Sequence, residues 1–451
     1  MAKEKIIYSC SSCDYQSLKW LGCCTQCQAW NSFVKEESSV LFGQNISKKK
    51  HQVVSVAMHK LTDITHQKSE RICTGISEFD RVIGGGIVPG SLIILTGDPG
   101  IGKSTLLLQI SDKLAHKARV FYFSSEESLA QVKQRAARIG CSHEQLLFCD
   151  QANLESILEI ARSEKPDIII IDSIQNCYTP GTQTLPGSVG QLREATFHLM
   201  RLAKEDNITV ILSGHITKEG TIAGPKTLEH MVDAVFYLQG EDRWQTRVLR
   251  SVKNRFGTIN EIGFFQMNEH GLQEVPNINA ELMEQASFAP GSALISSIEG
   301  SRPLLIELQA LTVPSKFGVP QRVVTGIDHK QVVLIAAILE KYLHTKLSIH
   351  DIFFKISGGF KIKESSIDLG IALALLSSYF QKELPPKSLA LGEISLTGKI
   401  KAVNQISMHV QEAQKFGVQT LLLAKNQICE KTKVNIMRFD SVYELMKLFV
   451  E

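Results

Sequence analysis

The chain has no apolar run of the ~18 residues that a membrane span needs, so no transmembrane helix is predicted. It has no dominant charge: 49 Lys+Arg stand against 46 Asp+Glu, a formal net charge of +3. That balance excludes a highly charged disordered tail protein. It equally excludes a uniformly basic coat, so any surface for nucleic acid must be local. The first residues, MAKEKIIYSC, contain no hydrophobic stretch of a secretory signal, and the expectation is a soluble, cytoplasmic protein. Cysteine is sparse outside the N-terminus. Five of the ten lie in the first 27 residues, and Cys73, Cys141, Cys149, Cys177 and Cys429 are scattered. This distribution excludes a dense disulfide framework and points to metal at one end. With 451 residues, 43% of them hydrophobic and 21% charged, the chain is long enough for about three globular units with real cores.

Residues 1–35 are the first unit. Cys10 and Cys13 form one Cys-x2-Cys pair and Cys24 and Cys27 a second, with ten residues between. Each pair can turn two thiolates toward one ion, and two pairs complete the tetrahedral all-sulfur site that suits Zn²⁺. So short a segment cannot build a core alone, so the metal would supply its folding energy. Trp20 and Trp30 are expected to pack around it. Cys23 competes with Cys24, but only Cys24 repeats the x2 spacing. Residues 36–70 read as a linker, and SKKKH at 47–51 as a solvated charge run.

Residues 71–275 read as a nucleotide-binding α/β unit. The apolar run SLIILT (91–96) leads into Gly97-Asp98-Pro99-Gly100-Ile101-Gly102-Lys103-Ser104-Thr105, and a helical pattern follows. G-x4-G-K-S between a strand and a helix is a phosphate loop. Its backbone N–H groups wrap the phosphates of ATP, Lys103 reaches the β- and γ-phosphates, and Ser104 ligates Mg²⁺. RVFYFS (119–124) and PDIIIIDS (166–173) are further buried strands. Asp172, at the tip of the latter, stands where a carboxylate orders Mg²⁺ and its waters. Glu126 and Glu127, just past the former, are both candidates for the base that polarises the attacking water. Strands at 208–214, 233–239, 246–253 and 259–267 complete a mostly parallel sheet with helices on both faces; the last strands lack room for crossovers and should pair antiparallel. Two long turns, 176–190 and 215–229, lie on the ligand side, with His215 at a strand end. Lys253-Asn254-Arg255-Phe256-Gly257 ends another strand with two cations. In a ring of identical subunits, Lys253 and Arg255 could reach a neighbour's γ-phosphate.

Residues 268–285 look like a connection, and 285–451 like a separate α/β domain. Strands are expected in SALISSIEG, RPLLIELQALTV, DIFFKIS and SLALGEIS, and helices in KQVVLIAAILEKYL, SIDLGIALALLSSYF and ISMHVQEAQKFG.

The four-cysteine N-terminus, the GDPGIGKST loop and above all KNRFG at 253–257 resemble the RadA (Sms) family of bacterial DNA-repair proteins. TKEG (217–220) and GPKTLEHMVD (224–233) add to the likeness, which covers nearly the whole chain. The resemblance implies a RecA-like ATPase core that assembles as a homo-hexameric ring around DNA and acts in homologous recombination. It implies an ATPase and helicase stimulated by single-stranded DNA, processing branched intermediates alongside the RecA recombinase. It also makes Glu126 the catalytic glutamate and the turns 176–190 and 215–229 the DNA-facing loops. Ser125 and Asp14 depart from the family, which more often has glycine at each. The C-terminal element order and GEISLTGKI (392–400) resemble the proteolytic domain of Lon, which uses a Ser–Lys dyad. Ser366 falls near the nucleophile slot, but the lysine slot falls near Ser407, with no lysine between Lys401 and Lys415. The domain is therefore expected to be proteolytically inactive and to build the ring. Lys346, Lys355, Lys361 and Lys363 are its candidates for touching duplex DNA.

Overall fold

A computed structural model of the chain describes residues 7–11, 13, 15–17, 19–36, 60, 70–179, 187–215, 228–240, 246–316, 318–429 and 432–450. At the N-terminus, β1 (Ile7–Cys10), β2 (Gln16–Ser17) and β3 (Phe33–Glu36) form an antiparallel sheet in the order β2-β1-β3. Its interior consists of Cys10, Cys24 and Phe33, with Tyr8, Cys13 and Leu21 against them. Contrary to expectation, Trp20 and Trp30 are 53% and 77% exposed. The sulfur cluster and Phe33 fill what little interior so short a unit has. Trp20 lies over Gly22, its ring 3.8 Å from where a Gly22 Cβ would stand.

The second unit comprises α1 (Ser77–Ile83), β4 (Leu92–Gly97), α2 (Lys103–Ala115), β5 (Val120–Ser124), α3 (Leu129–Ile139), β6 (Leu146–Cys149), α4 (Leu154–Glu164), β7 (Ile168–Asp172), α5 (Val189–Glu205), β8 (Thr209–His215), β9 (Ala234–Gly240), β10 (Thr246–Asn254), β11 (Ile262–Asn268) and β12 (Gly271–Glu274). These strands form one sheet in the order β12-β11-β10-β9-β4-β8-β7-β5-β6. From β9 to β6 every pairing is parallel, whereas β9 to β12 run as an antiparallel meander. Every residue of β4, β5 and β7 is buried, as expected of strands covered by helices on both faces. α1 and α2 pack on one face, and α4 and α5 on the other. α3 starts on a capping box of Ser128 and Gln131.

The third unit has α6 (Ile278–Glu284), β13 (Ser292–Glu299), β14 (Arg302–Pro314), β15 (Arg322–Thr325), α7 (His329–Leu343), β16 (His350–Ile356), α8 (Asp368–Phe380), β17 (Ser388–Leu391), β18 (Glu393–Ile394), β19 (Ile400–Lys401), α9 (Ile406–Lys415), β20 (Thr420–Ala424) and β21 (Asn435–Phe439). Its main sheet is mixed, in the order β15-β16-β14-β13-β17-β20-β21. α8 is apolar nearly all round and buried along most of its length, which makes it the central helix of this core. The stretch 268–285 is more than a connection: β12 extends the sheet of the second unit and α6 packs into the third unit.

The second and third units share a core. Val248, Ile262 and Phe264 of β10 and β11 sit in one hydrophobic cluster with Ile306, Leu339 and Leu373. Glu78 of α1 is fully buried. It accepts from Arg302 of β14 (2.8 Å) and from Phe264 N (2.9 Å). Arg250 of β10 pairs with Glu299 of β13 at 2.7 Å. Among the described residues no helix is long and apolar enough to cross a membrane.

Candidate nucleotide and metal sites

The phosphate loop is shaped by glycines. Gly97 ends β4 with φ 155°, where any Cβ would collide with the Leu238 carbonyl of β9. Gly102 precedes α2 with φ 112°. Asp98, Pro99 and Gly100 are exposed, Ile101 is buried and Ser104 and Thr105 are half-buried. The first-turn N–H groups of α2 have no intrahelical acceptors and, with the positive end of the helix, favour phosphate. Lys103 is only 4% exposed, and its Nζ donates to Gly97 O (2.9 Å) and Asp98 O (3.0 Å). Burial lowers its pKa, and the charges of Asp172, Glu126 and Asp98 oppose that shift.

The carboxylates gather at the tips of β7 and β5, on the far side of β8 from β4. Asp172 is 5% exposed and accepts from Tyr122 Oη at 2.8 Å. Burial, and then the charge of Asp172, push the tyrosine well above its ordinary pKa, so it remains a donor. Glu126 is exposed and accepts from Ser173 Oγ at 2.5 Å. Glu127 instead pairs with Arg135 of α3. Burial raises the Glu127 pKa against the opposing charge of Arg135. One acid therefore stands at the tips of β5 and β7, while the other is tied to a helix. Ser125 binds Ser173 twice, accepting from its N–H (2.9 Å) and donating to its carbonyl (3.0 Å). The departure from glycine at 125 thus adds a link between the tips of β5 and β7. Tyr122 and Ser173 are missed by sequence reasoning, and Ser125 is singled out there only as a departure from the family. A hydroxyl inside an otherwise apolar strand is the one available signal for Tyr122.

KNRFG lies at the other end of the sheet. Arg255 N donates to Asp233 O (3.1 Å) and Asp233 N to Leu92 O (2.9 Å), which sets Arg255 level with the start of β4. Leu92 and Gly97 are five residues apart. At roughly 3.3 Å per residue, Arg255 is about 17 Å from the phosphate loop along the strand direction. Its guanidinium is 61% exposed and 3.6 Å from Asp233, which also accepts from Lys204 (2.6 Å) and Leu92 N (3.0 Å). Lys253 donates to Glu229 O and, at 2.8 Å, to Val232 O. Its pKa is lowered by burial and by Arg255.

His215 ends β8 in register with Gly97. Residues 180–186 of the first predicted DNA loop and 216–227 of the second lie outside the described residues. The base of the first is clamped by Gln191, which donates to Cys177 O (2.6 Å) and accepts from Gly187 N (3.2 Å).

In the N-terminal unit the sulfurs of Cys10, Cys13, Cys24 and Cys27 all lie within 4.8 Å of one another. Cys10 Sγ is 3.6 Å from Cys27 Sγ, and Cys13 Sγ is 3.5 Å from Cys24 Sγ. Four sulfurs around one Zn²⁺ at about 2.3 Å would be about 3.8 Å apart, so the set fits the ion. Cys23 turns away and its thiol donates to Gln28 O at 3.4 Å.

In the third unit Ser366 Oγ donates to Glu364 at 3.0 Å, and Ser407 lies on α9. Lys346, Lys355, Lys361 and Lys363 are all exposed. Lys355 lines a groove with Leu311 and Phe353, Lys361 a cleft with Asp98, and Lys363 a cleft with Ser366.

A phosphate loop on the central strand, acids at the tips of β7 and β5 and an antiparallel extension define a P-loop ATPase with a RecA-like core. It carries an N-terminal four-cysteine unit and a C-terminal Lon-like α/β domain. Residues 8–35 match the family model "Rubredoxin metal binding domain", 60–221 "AAA domain" and 327–427 "Subunit ChlI of Mg-chelatase". The DNA repair protein RadA of Streptococcus pyogenes (serotype M6) is 46% identical over 434 residues, 95% of this chain and 94% of that protein. The DNA repair protein RadA of Bacillus subtilis is 43% identical over 426 residues, 94% and 93% of the two chains. A solved KaiC-like protein from Pyrococcus horikoshii is 21% identical, with 46% of this chain and 100% of that one covered and a TM-score of 0.39. The chain belongs to the RadA family of DNA-repair proteins.

Proposed function

We propose that this protein is an ATP-driven DNA motor of homologous recombination and repair. Lys103 and the first-turn N–H groups of α2 hold the β- and γ-phosphates. Ser104 and Asp172 hold Mg²⁺, which neutralises charge on the phosphates. Glu126 polarises the attacking water, and Tyr122 keeps Asp172 aimed through its hydrogen bond. Arg255 and Lys253 complete the site of the next subunit in a homo-hexameric ring. Turnover is stimulated by single-stranded DNA and drives helicase movement on branched recombination intermediates in concert with the RecA recombinase. Cys10, Cys13, Cys24 and Cys27 hold one Zn²⁺ per chain. The third unit is proteolytically inactive, because the group beside Ser366 Oγ is a carboxylate rather than a lysine amine.

The observation that carries this reading is the opposed placement of two half-sites. Lys103, Asp172 and Glu126 converge at one end of the sheet, and the exposed Arg255 stands about 17 Å away at the other. An ATPase built this way needs a neighbour. The test is ATPase rate with and without single-stranded DNA, read together with mass in solution with nucleotide bound. A ring with DNA-stimulated turnover is expected. A monomer whose turnover ignores DNA refutes the motor.

A further inference from the structure

The third unit contains a polar cleft of about 410 Å³ that takes no part in the machinery described so far. Two stretches of chain line it: 363–366 together with Glu393, and 402–405 together with His409. The second stretch is the turn into α9, and a buried amide fixes it. Gln427, 6% exposed, accepts from Val403 N (2.7 Å) and donates to Val403 O (3.3 Å). Gln405 then adopts a left-handed conformation (φ 53°) and opens the helix without a side-chain cap. Ile406 N and Ser407 N, in the first turn, have no acceptor among the described residues.

His409 lies in the same turn of α9 and lines the cleft although it is only 2% exposed. Its Nδ1 is 2.8 Å from Ser296 Oγ of β13. Ser296 is 0% exposed and has no other hydrogen-bond partner among the described residues. If Nδ1 carried the proton, the hydroxyl hydrogen of Ser296 would have no acceptor. The hydroxyl therefore donates to Nδ1. Burial keeps the ring neutral, with its pKa down at about 4, so its one proton sits on Nε2. That N–H has no partner among the described residues. A buried donor without an acceptor calls for a reason, and this one belongs to a side chain that lines a cleft.

Lys363 and Asn404, both exposed, add two more donors to the cleft. Together with the positive end of α9 they favour an anion. Yet the cleft also holds two acids. Glu393 is paired with Lys401 at 3.2 Å, whereas Glu364 accepts only from Ser366 Oγ (3.0 Å) and keeps an uncompensated charge. That charge repels a doubly ionised phosphate and attracts an ammonium group. One small molecule with both a carboxylate and an ammonium meets both demands, and the volume is in the range of small-molecule sites. We propose that this cleft binds a small zwitterion, an amino acid or a short peptide with free ends. The carboxylate accepts from Ile406 N, Ser407 N and His409 Nε2, with Lys363 beside it. The ammonium donates to Glu364. The proposal is independent of the ATPase reading above.

The experiment is ligand-observed saturation-transfer NMR on the full chain, with trialanine as the probe at millimolar concentration. Alanine, trialanine amide and N-acetyl-trialanine are titrated beside it, and inorganic phosphate is the competitor. Trialanine or alanine is expected to bind, and the tighter of the two identifies the source as peptide or free amino acid. Removing either charged end of trialanine should weaken binding by roughly 10-fold, the contribution of one charged hydrogen-bonding arm. His409→Phe deletes the buried donor and should weaken trialanine similarly. Where that variant fails to fold, Lys363→Ala and Glu364→Gln carry the test. Lys363→Ala should weaken trialanine but not trialanine amide. Glu364→Gln should abolish the difference between trialanine and its N-acetyl form and leave the N-acetyl form unchanged, a pattern that general damage to the domain would not give. Absence of transfer to both trialanine and alanine overturns the proposal, as does equal binding of the free, amidated and acetylated peptides. Phosphate that displaces trialanine at equal concentration makes the cleft a plain anion site and overturns it too.

Discussion

If Arg255 completes a neighbour's site, two inactive proteins should restore each other. Lys103→Ala removes the cation on the β- and γ-phosphates but leaves Arg255 intact, and Arg255→Ala does the reverse. The strand register sets Arg255 about 17 Å from its own phosphate loop. That is far beyond the reach of an arginine side chain, so within one subunit it cannot meet the γ-phosphate. Its present contact is easily released. The pair with Asp233 is exposed on the arginine side and worth at most about 1 kcal/mol, and Asp233 keeps Lys204 and Leu92 N as partners. A cation supplied to the transition state contributes roughly 10³–10⁵ in rate in related phosphoryl transfers. Arg255→Ala should show the low end, since Lys253 is two residues away. In rings formed at random from equal amounts of the two variants, about one junction in four pairs an intact loop with an intact arginine. Steady-state ATPase with single-stranded DNA should therefore recover to roughly a quarter of the wild-type rate, where each variant alone gives almost none. No recovery, in rings shown by native mass spectrometry to be mixed, would falsify the shared site and put Arg255 on DNA instead.

Cys24→Ser should abolish bound zinc measured by elemental analysis, while Cys23→Ser should keep about one ion per chain, because Cys23 points at the Gln28 carbonyl rather than the cluster. Glu126→Gln should bind ATP and hydrolyse it at least about 100-fold more slowly, whereas Glu127→Gln, which loses only the pair with Arg135, should stay within a few-fold; the reverse order would reassign the base. His409 is 2% exposed, its Nδ1 is 2.8 Å from Ser296 Oγ, and burial pulls its pKa down from 6.5 to about 4. A depressed histidine favours the neutral form in the fold, so between these values the unfolded chain binds more protons. Its contribution is full above the unfolded pKa and is lost as pH falls toward the folded one. The loss amounts to about 2 kcal/mol between roughly pH 7 and pH 5. His409→Gln should show a shallower fall of denaturation midpoint over that range, and identical slopes would remove His409 from the account.

The features legible in the chain are those in which neighbours in sequence are also neighbours in space. The phosphate loop is one turn, and its glycines and Lys103 are required by local geometry. The choice of Cys24 over Cys23 followed from the x2 spacing, and the sulfurs meet accordingly. The all-apolar β7 announced a central parallel strand, and the lack of crossover length announced the antiparallel meander. What was not legible crosses between strands. The Tyr122–Asp172 and Ser125–Ser173 links join β5 to β7 across a whole intervening helix–strand–helix passage. β6 and β12 are four-residue edge elements with no periodicity to read. Trp20 and Trp30 misled because large apolar side chains are ordinarily core, and a metal-centred unit has almost no core to offer.

The hydrophobic cluster common to the second and third units bears on how deletion mutants should be read. A fragment ending near residue 275 contains every proposed catalytic group, yet it leaves Val248, Ile262 and Phe264 without the side chains that cover them. Uncovering each costs roughly 1.5–3 kcal/mol, comparable in sum to the whole stability of many domains. The same cut strands the fully buried Glu78 without Arg302. An inactive truncated protein would therefore report a broken scaffold rather than a missing function. The work of the C-terminal half is better dissected by point substitutions on its outer surface, far from this seam.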